Sequence, residues 1–226
     1  MKKVALALFI IASILELTCQ VFDFGEVHHV VKPLLMIFLG TYYFFSVRSA
    51  DRSNFIVLAI IFSFLGDSFL LYERQNELYF ILGLLSFLLA HVFYIIVFRQ
   101  RRIINKEEPV QSVQKARMAF PVILAATGLV VVLYPRLGDL RLPVIIYAGV
   151  LMFMVLNALF RFQKTSASSF WMVSSGAVLF MLSDSILAIN KFLHPLSHAG
   201  VWIMSSYLGG QFLIIRGLIA HDESSY

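Results

Sequence analysis

The chain has 226 residues, of which 60% are hydrophobic, 15% aromatic and 14% charged, and its mean hydropathy is +0.85. Soluble domains carry about 45–50% apolar and about 25% charged residues, so this composition excludes a water-soluble globular fold and a disordered chain. A transmembrane β-barrel would alternate polar and apolar residues along its strands, whereas these apolar runs are continuous. The composition therefore predicts an all-α, polytopic membrane helix bundle.

Eight apolar segments approach the length of about 20 residues that a spanning helix needs. They are residues 4–22, 30–47, 54–72, 78–98, 118–134, 142–161, 170–190 and 200–219. The first is expected to be a helix rather than a cleaved signal peptide, because Glu16 interrupts it and no cleavage site of small residues follows. Only the linker 99–117 is long, and it reads as a basic loop. We therefore predict a single integral membrane domain, 1–226, with eight transmembrane helices.

The basic residues indicate how the chain crosses the membrane. Thirteen Lys and Arg fall in the N-terminus, the even-numbered loops and the C-terminus, and five fall on the other side. The positive-inside rule thus places both termini in the cytoplasm, and we expect a bacterial inner membrane. Although the net charge is +5, the cations lie in loops rather than along one amphipathic face, which argues against a nucleic-acid partner. Cys19 is the single cysteine, so an internal disulfide is excluded.

Two segments resemble each other at an offset of 117 residues. Leu65-Gly66-Asp67-Ser68 of the third span aligns with Leu182-Ser183-Asp184-Ser185 of the seventh, and Gly83 aligns with Gly200. One interpretation is a duplication into two parallel four-helix halves, 1–98 and 118–219, joined by the basic loop 99–117. The other is chance similarity between apolar sequences.

The two aspartates are the strongest candidates for catalytic residues. Asp67 lies 13 residues into its predicted span and Asp184 lies 14 into its own, so each stands roughly 20 Å from the cytoplasmic end. An aspartate inside a span costs about 2.5–3.5 kcal/mol unless it faces protein or water. If the two carboxyls meet, repulsion favours one neutral acid and one charged base. Alternatively, each carboxyl only joins neighbouring helices by hydrogen bonds.

Other polar residues within or beside the spans are candidates for substrate binding. Lys32, directly before Pro33, is expected in the first turn of the second span. It is either a cation that binds a lipid phosphate or pairs with an aspartate, or a snorkelling lysine. The remaining candidates, which would orient lipid or water or else bond neighbouring helices, are His91, Tyr94, Asn157, Asn190, Tyr207 and Gln211. Glu16 is a further intramembrane acid to which the sequence assigns no role.

Known catalytic motifs are absent, including HExxH, GxSxG, the Walker loop and GxGxxG. Paired aspartates invite comparison with intramembrane aspartyl proteases. Here, however, Phe64 replaces the first glycine of GxGD, Ser183 precedes the second aspartate, and no PAL triplet occurs. A protease is therefore disfavoured, and no metal site or cofactor is predicted.

Five stretches are distinctive: Lys32–Leu34, Phe62–Asp67, Gly83–Tyr94, Gly176–Phe192 and Tyr207–Gln211. In these stretches the sequence resembles the YhhN-like lysoplasmalogenase family of membrane hydrolases. The resemblance implies hydrolysis of the vinyl-ether bond of a lysoplasmalogen, a lysophospholipid within the bilayer, to a fatty aldehyde and glycerophosphoethanolamine or glycerophosphocholine.

Paired aspartates suit this chemistry. A neutral carboxylic acid can protonate the outer alkene carbon of a vinyl ether, and a second carboxylate can stabilise the oxocarbenium ion and activate water. Asp67 and Asp184 would supply these groups in unassigned order. Two alternatives remain: a proton-coupled transporter that uses the same acids as a relay, and a structural membrane protein whose acids only hold helices together.

Overall fold

The computed structural model describes residues 1–22, 24–102 and 112–224, and all regular secondary structure within these ranges is helical. The all-α prediction is thus confirmed for the described residues. They form eight α-helices: α1 Lys2–Phe22, α2 Gly25–Ser46, α3 Asn54–Leu70, α4 Glu77–Gln100, α5 Ser112–Leu133, α6 Arg141–Leu159, α7 Ala167–Phe192 and α8 Ala199–Ser224.

Each predicted segment coincides with one helix, but several ends differ. α2 begins at Gly25 rather than at residue 30, so Pro33 lies inside the helix. The expectation that Lys32 and Pro33 occupy a first helical turn is therefore wrong. The helix extends over the polar residues before the apolar run, with Glu26 in its first turn, where a negative charge suits the helix dipole. Hydropathy marks the apolar part of a helix and not its end.

Six helices within the described ranges are long and apolar enough to cross a membrane. They cover Lys2–Phe22, Glu77–Gln100, Val113–Arg136, Gly138–Leu159, Ala167–Phe192 and Ala199–Glu223. α3 is apolar but has only 17 residues, and α2 carries Glu26, Lys32 and two histidines. The helices thus support an integral membrane protein, while the predicted number of eight spans and the orientation of the termini stay predictions.

The chain divides into two compact units, Met1–Val97 and Phe98–Tyr226. In the first unit, α1 packs on α2 and α2 packs on α3. Glycines permit the closest helix approaches: a Cβ built on Gly66 would lie 2.6 Å from the Phe87 ring, and one on Gly40 would lie 3.3 Å from Ile60. Small residues at such crossings allow close packing where lipid provides no hydrophobic drive.

In the second unit, α7 and α8 form a close antiparallel pair. A Cβ on Gly176 would lie 2.7 Å from the carbonyl oxygen of Gly210. Hydroxyls join the same helices on either side of this crossing, since Ser183 donates to the Ile203 carbonyl at 3.0 Å and Ser169 donates to the Gly217 carbonyl at 2.7 Å. The pair is therefore held by backbone contact and by short side-chain bonds.

The hairpins α3–α4 and α7–α8 share one pairing register. Gly66 lies against Phe87 in the first hairpin. Adding the sequence offset of 117 to both numbers gives 183 and 204, and Ser183 bonds to the neighbouring residue Ile203 in the second hairpin. The agreement is what a duplication would produce, although the duplication itself stays a prediction.

Candidate functional site

Asp67 lies in the last turn of α3 and is buried, with 2% of its surface exposed. It shares the buried face of the helix with Ser63, one turn earlier, and with Gly66. Its carboxyl group is therefore directed toward protein rather than lipid, as the cost of a polar group in hydrocarbon demands.

Lys32 and Asp67 lie at about the same level of the first unit. Two contacts define how α2 runs along α3: Gly40 meets Ile60, and the His29 ring lies 5.7 Å from the Tyr72 ring. Because the two helices run antiparallel, interpolation between these two contacts places Lys32 opposite the turn of α3 that contains Asp67. Lys32 is half-buried. The structure thus places two site residues that the sequence predicted separately at a similar level of the first unit.

An apolar groove of about 530 Å³ begins one turn below this level, between α2 and α3. Its wall includes Met36, four residues after Lys32, and Phe64, three residues before Asp67. At 1.5 Å rise per residue these separations are about 6 Å and 4.5 Å along the helix axes. The groove continues to Phe44 and Val57 near the other end of the two helices, so it runs along most of their length.

Three aromatic rings stand above Asp67, at the predicted outer ends of α2, α3 and α4. Tyr72 lies between His29 and Tyr79, with ring centroids at 5.7 and 5.8 Å, and 41% of its surface is exposed. Sequence analysis missed this group, although aromatic residues at the ends of successive spans were a visible signal. The first unit therefore presents, in order of depth, aromatic rings, the level that holds Lys32 and Asp67, and an apolar groove.

His91 and Tyr94 are both fully buried in α4. His91 lies one turn beyond Phe87, which packs on Gly66, so it stands about 6 Å along the helix from the level of Gly66, toward the predicted cytoplasmic end. Their burial agrees with either substrate orientation or helix packing, and their role stays a prediction.

Glu16 joins α1 to α2. It is fully buried, and its Oε1 atom lies 2.7 Å from Nδ1 of His28 and accepts a hydrogen bond from Gln20 at 2.9 Å. The sequence assigned Glu16 no role. The structure shows a polar link between two helices, of the kind that helix pairs use within membranes.

Asp184 is held by a tyrosine that sequence analysis missed. The hydroxyl of Tyr147, from α6, donates a short hydrogen bond to Oδ2 of Asp184 in α7. Tyr147 is buried, and the adjacent Ser183 bonds to α8. The signal available in the sequence was a single tyrosine within the sixth span.

Tyr207 and Gln211 lie in α8 of the second unit. The Tyr207 ring packs edge-on against Phe180, one turn before Asp184, with centroids 5.4 Å apart. Gln211 donates to the Tyr207 hydroxyl at 3.5 Å, and both residues are buried. Tyr207 therefore lies in the layer next to Asp184, whereas Gln211 lies near the level of Gly176, about 12 Å along α7 from Asp184.

The two predicted asparagines lie elsewhere in the second unit. Asn190 accepts a hydrogen bond from the Leu196 amide at 2.9 Å and so shapes the turn between α7 and α8. Asn157 bonds to Arg99 and Arg102, ten residues and about 15 Å along α6 from Tyr147. Neither asparagine lies in the layer of Asp184, so their predicted contact with substrate has no support from these positions.

Asp67 belongs to the first unit and Asp184 to the second, and the prediction that their carboxyls meet stays a prediction. No group of three or more His, Cys, Asp or Glu that could hold a metal ion occurs among the residues that the structure describes. What the two units share is a carboxyl group directed toward protein within an apolar helix.

Long apolar helices that direct carboxyl, imidazole and carboxamide groups inward define a helical integral membrane protein. The sequence model of the YhhN family matches residues 27–218, and the chain therefore belongs to the YhhN family. The matched range includes Lys32, both aspartates and the groove, but not Glu16.

Three relatives illustrate the similarity. Human lysoplasmalogenase TMEM86A is 30% identical over 196 residues, which cover 84% of this chain and 74% of the relative. A lysoplasmalogenase of Mycobacterium bovis is 33% identical over 172 residues, covering 75% and 62% respectively. The Escherichia coli protein called uncharacterized membrane protein YhhN is 27% identical over 194 residues, covering 84% and 86%. No solved structure matches this chain.

Proposed function

We propose that this protein is a lysoplasmalogenase, which hydrolyses the vinyl-ether bond of a lysophospholipid in the bilayer. Two of the relatives above carry that name. The observation that carries the proposal here is the order of groups in the first unit, where the aromatic rings, the level of Lys32 and Asp67, and an apolar groove follow one another in depth.

This order corresponds to the order of groups in the substrate. Lys32 would bind the phosphate, and the rings around Tyr72 would face the headgroup ammonium, since aromatic faces attract cations. The alkenyl chain would fill the groove from Phe64 toward Val57. The vinyl ether joins the chain to the glycerol and would then lie beside Asp67. A lysolipid has one chain, and the groove offers room for one.

The proposed reaction consists of proton transfers and one addition of water. Asp67, as the neutral acid, gives its proton to the outer alkene carbon and so produces an oxocarbenium ion. Asp184, as the carboxylate, stabilises this cation and takes a proton from the water that adds to it. The hemiacetal then breaks into an aldehyde and the glycerol hydroxyl, and a proton passes from Asp184 back to Asp67.

The hydrogen bond from Tyr147 supports this division of roles. A hydroxyl that donates to Asp184 stabilises the carboxylate form, which suits a base and a partner for the cation. Tyr147 would be a positioning residue, because it acts through Asp184. The mechanism requires the two carboxyls to face one substrate. It involves no oxidation or reduction, and the proposal includes neither a metal nor an organic cofactor.

The proposal also includes eight spans, cytoplasmic termini and a bacterial inner membrane. The distribution of thirteen basic residues against five supports this orientation. The transporter alternative is less favoured, because α3 and α7 run unbroken through Asp67 and Asp184, whereas many transporters bind their substrates at interrupted helices.

The test is aldehyde release by the purified protein from a lysoplasmalogen, compared with the matching acyl lysolipid. D67N and D184N should each lower kcat by about 10²–10⁴-fold, the usual contribution of general acid–base catalysis. E223Q removes an exposed carboxylate that pairs with Arg216 and should keep full activity. Wild-type activity in D67N or D184N would remove that residue from the mechanism, and cleavage of the acyl lipid alone would refute the vinyl-ether assignment.

A further inference from the structure

Four arginines gather at one end of the second unit. Arg99, Arg101 and Arg102 lie at the end of α4 and directly after it, and Arg161 follows α6. Arg99 donates to the side-chain oxygen of Asn157 at 2.9 Å, and Arg102 donates to the same oxygen at 3.1 Å. One carboxamide oxygen thus holds two guanidinium groups side by side. These four arginines are called the arginine cluster below.

Arg161 is the buried centre of the cluster. None of its surface is exposed, its Nη2 donates to Ser169 at 2.9 Å, and its Nε donates to the backbone carbonyl of Arg101 at 3.4 Å. Its Nη1 is buried without a hydrogen-bond partner in the described ranges. A buried charged donor without a partner is costly, and a ligand that accepts a hydrogen bond from this atom would remove that cost.

The cluster carries more positive than negative charge. One carboxylate that these arginines contact is Asp222, whose Oδ2 lies 2.7 Å from Nη1 of Arg101. Burial, followed by the charges of Arg101 and Arg102, lowers the pKa of Arg161 to about 10, and Asp222 opposes that change. The four cations carry more charge than Asp222 can neutralise, and a bound anion would compensate this charge.

We propose that the arginine cluster is a binding site for a phosphate group. Guanidinium groups offer paired N–H donors that fit phosphate oxygens, and basic pockets between helix ends bind anionic lipid headgroups. The phosphate belongs either to an anionic phospholipid or to a soluble phosphate ester. Asn157 lies about 15 Å along α6 from the Tyr147–Asp184 pair, so this site is separate from the catalytic layer and does not depend on the proposed function.

Two simpler explanations give different results in the test. Basic residues at helix ends can merely orient the protein in the membrane, as the positive-inside rule describes. In addition, Glu107 and Glu108 of the linker, which lie outside the described residues, are alternative counter-charges. A double substitution of each charged pair separates these explanations.

The experiment measures the midpoint of thermal unfolding of the full chain. One arm compares nanodiscs of phosphatidylcholine with nanodiscs that also contain phosphatidylglycerol. The other adds inorganic phosphate or glycerol 3-phosphate, at matched ionic strength in chloride, to protein in neutral detergent. At a ligand concentration of 100 times Kd, the midpoint should rise by about 5–10 °C. A response only to the lipid identifies a headgroup site, and a response to the soluble anions identifies a site for phosphate esters.

The variants decide whether the site is the arginine cluster. R99Q/R102Q should lose the response, whereas R48Q/R52Q, which removes the same charge from the second loop, should keep it. If the double variant does not fold, R99Q alone, at a solvent-exposed guanidinium, should lose part of the response. No response in the wild type, equal losses in both double variants, or a response seen only after E107Q/E108Q would overturn the proposal.

Discussion

Removal of the Tyr147 hydroxyl is the most direct test of how Asp184 is oriented and stabilised for catalysis. Tyr147→Phe removes this one oxygen atom and retains a ring of the same shape at a buried position. Because the hydroxyl donates to Asp184, its loss leaves the carboxylate less well oriented and less stabilised. Packing between α6 and α7 should change little.

The size of the effect follows from the kind of bond that is lost. A hydrogen bond to a charged group contributes about 1.5–3 kcal/mol, and about 1.36 kcal/mol corresponds to a tenfold change in rate. If the whole contribution is expressed in the transition state, Y147F should lower kcat by about 10- to 150-fold. KM should change little, because in the proposed arrangement the hydroxyl contacts Asp184 and not the lipid.

The measurement is the initial rate of aldehyde release over a range of lysoplasmalogen concentrations, so that kcat and KM are separated. Tyr134→Phe is the matched control, because Tyr134 is 46% exposed and its ring contacts Arg141. That variant should behave as the wild type. Wild-type kcat in Y147F, together with an inactive D184N, would refute the inference that Tyr147 positions the catalytic carboxylate.

Three further predictions concern packing, the headgroup and the chain. Gly176→Ala places a Cβ 2.7 Å from the Gly210 carbonyl oxygen. Such overpacking costs about 1–3 kcal/mol of folding stability and should lower Tm by about 2–12 °C. Lys32→Met removes the proposed phosphate partner and should raise KM several-fold with little change in kcat. Val57→Trp fills the groove about 15 Å along α3 from Asp67, so activity should fall for long alkenyl chains and persist for short ones.

Each of these changes has a matched comparison. Gly149→Ala adds a Cβ that meets nothing within 4 Å, so Tm should stay constant or rise, and an equal loss in both glycine variants would contradict the packing argument. Lys191→Met removes an exposed lysine at the end of α7 and should leave KM unchanged. For Val57→Trp, equal losses on short and long chains would show that the groove does not hold the chain.

Much of the secondary structure followed from hydropathy. In a bilayer the backbone must satisfy its own hydrogen bonds, so a long apolar run becomes a helix, and all eight predicted segments are helical. Their ends were less predictable, since α2 extends over polar residues from Gly25. Asp67 and Lys32 were also recognisable from the sequence, because a charged residue within an apolar run is rare enough to indicate a special environment.

Partners across helices were not predictable in the same way. Asn157, a candidate for either substrate orientation or helix packing, bonds to Arg99 and Arg102, while Tyr147, which the sequence analysis did not single out, bonds to Asp184. Helical periodicity gives the position of a side chain along and around its own helix. It does not give the residue of the neighbouring helix that lies at the same height.

The amino-acid sequence by itself determined that this is a membrane protein of apolar helices with acids buried inside them, because the solvent that surrounds a helix dictates its composition. Only the tertiary structure decided which groups share a level, such as Lys32 with Asp67 and Tyr147 with Asp184. The physical reason is that the register between two helices depends on how their surfaces interlock, as at Gly40 with Ile60 and Gly176 with Gly210, and this fit belongs to neither helix alone.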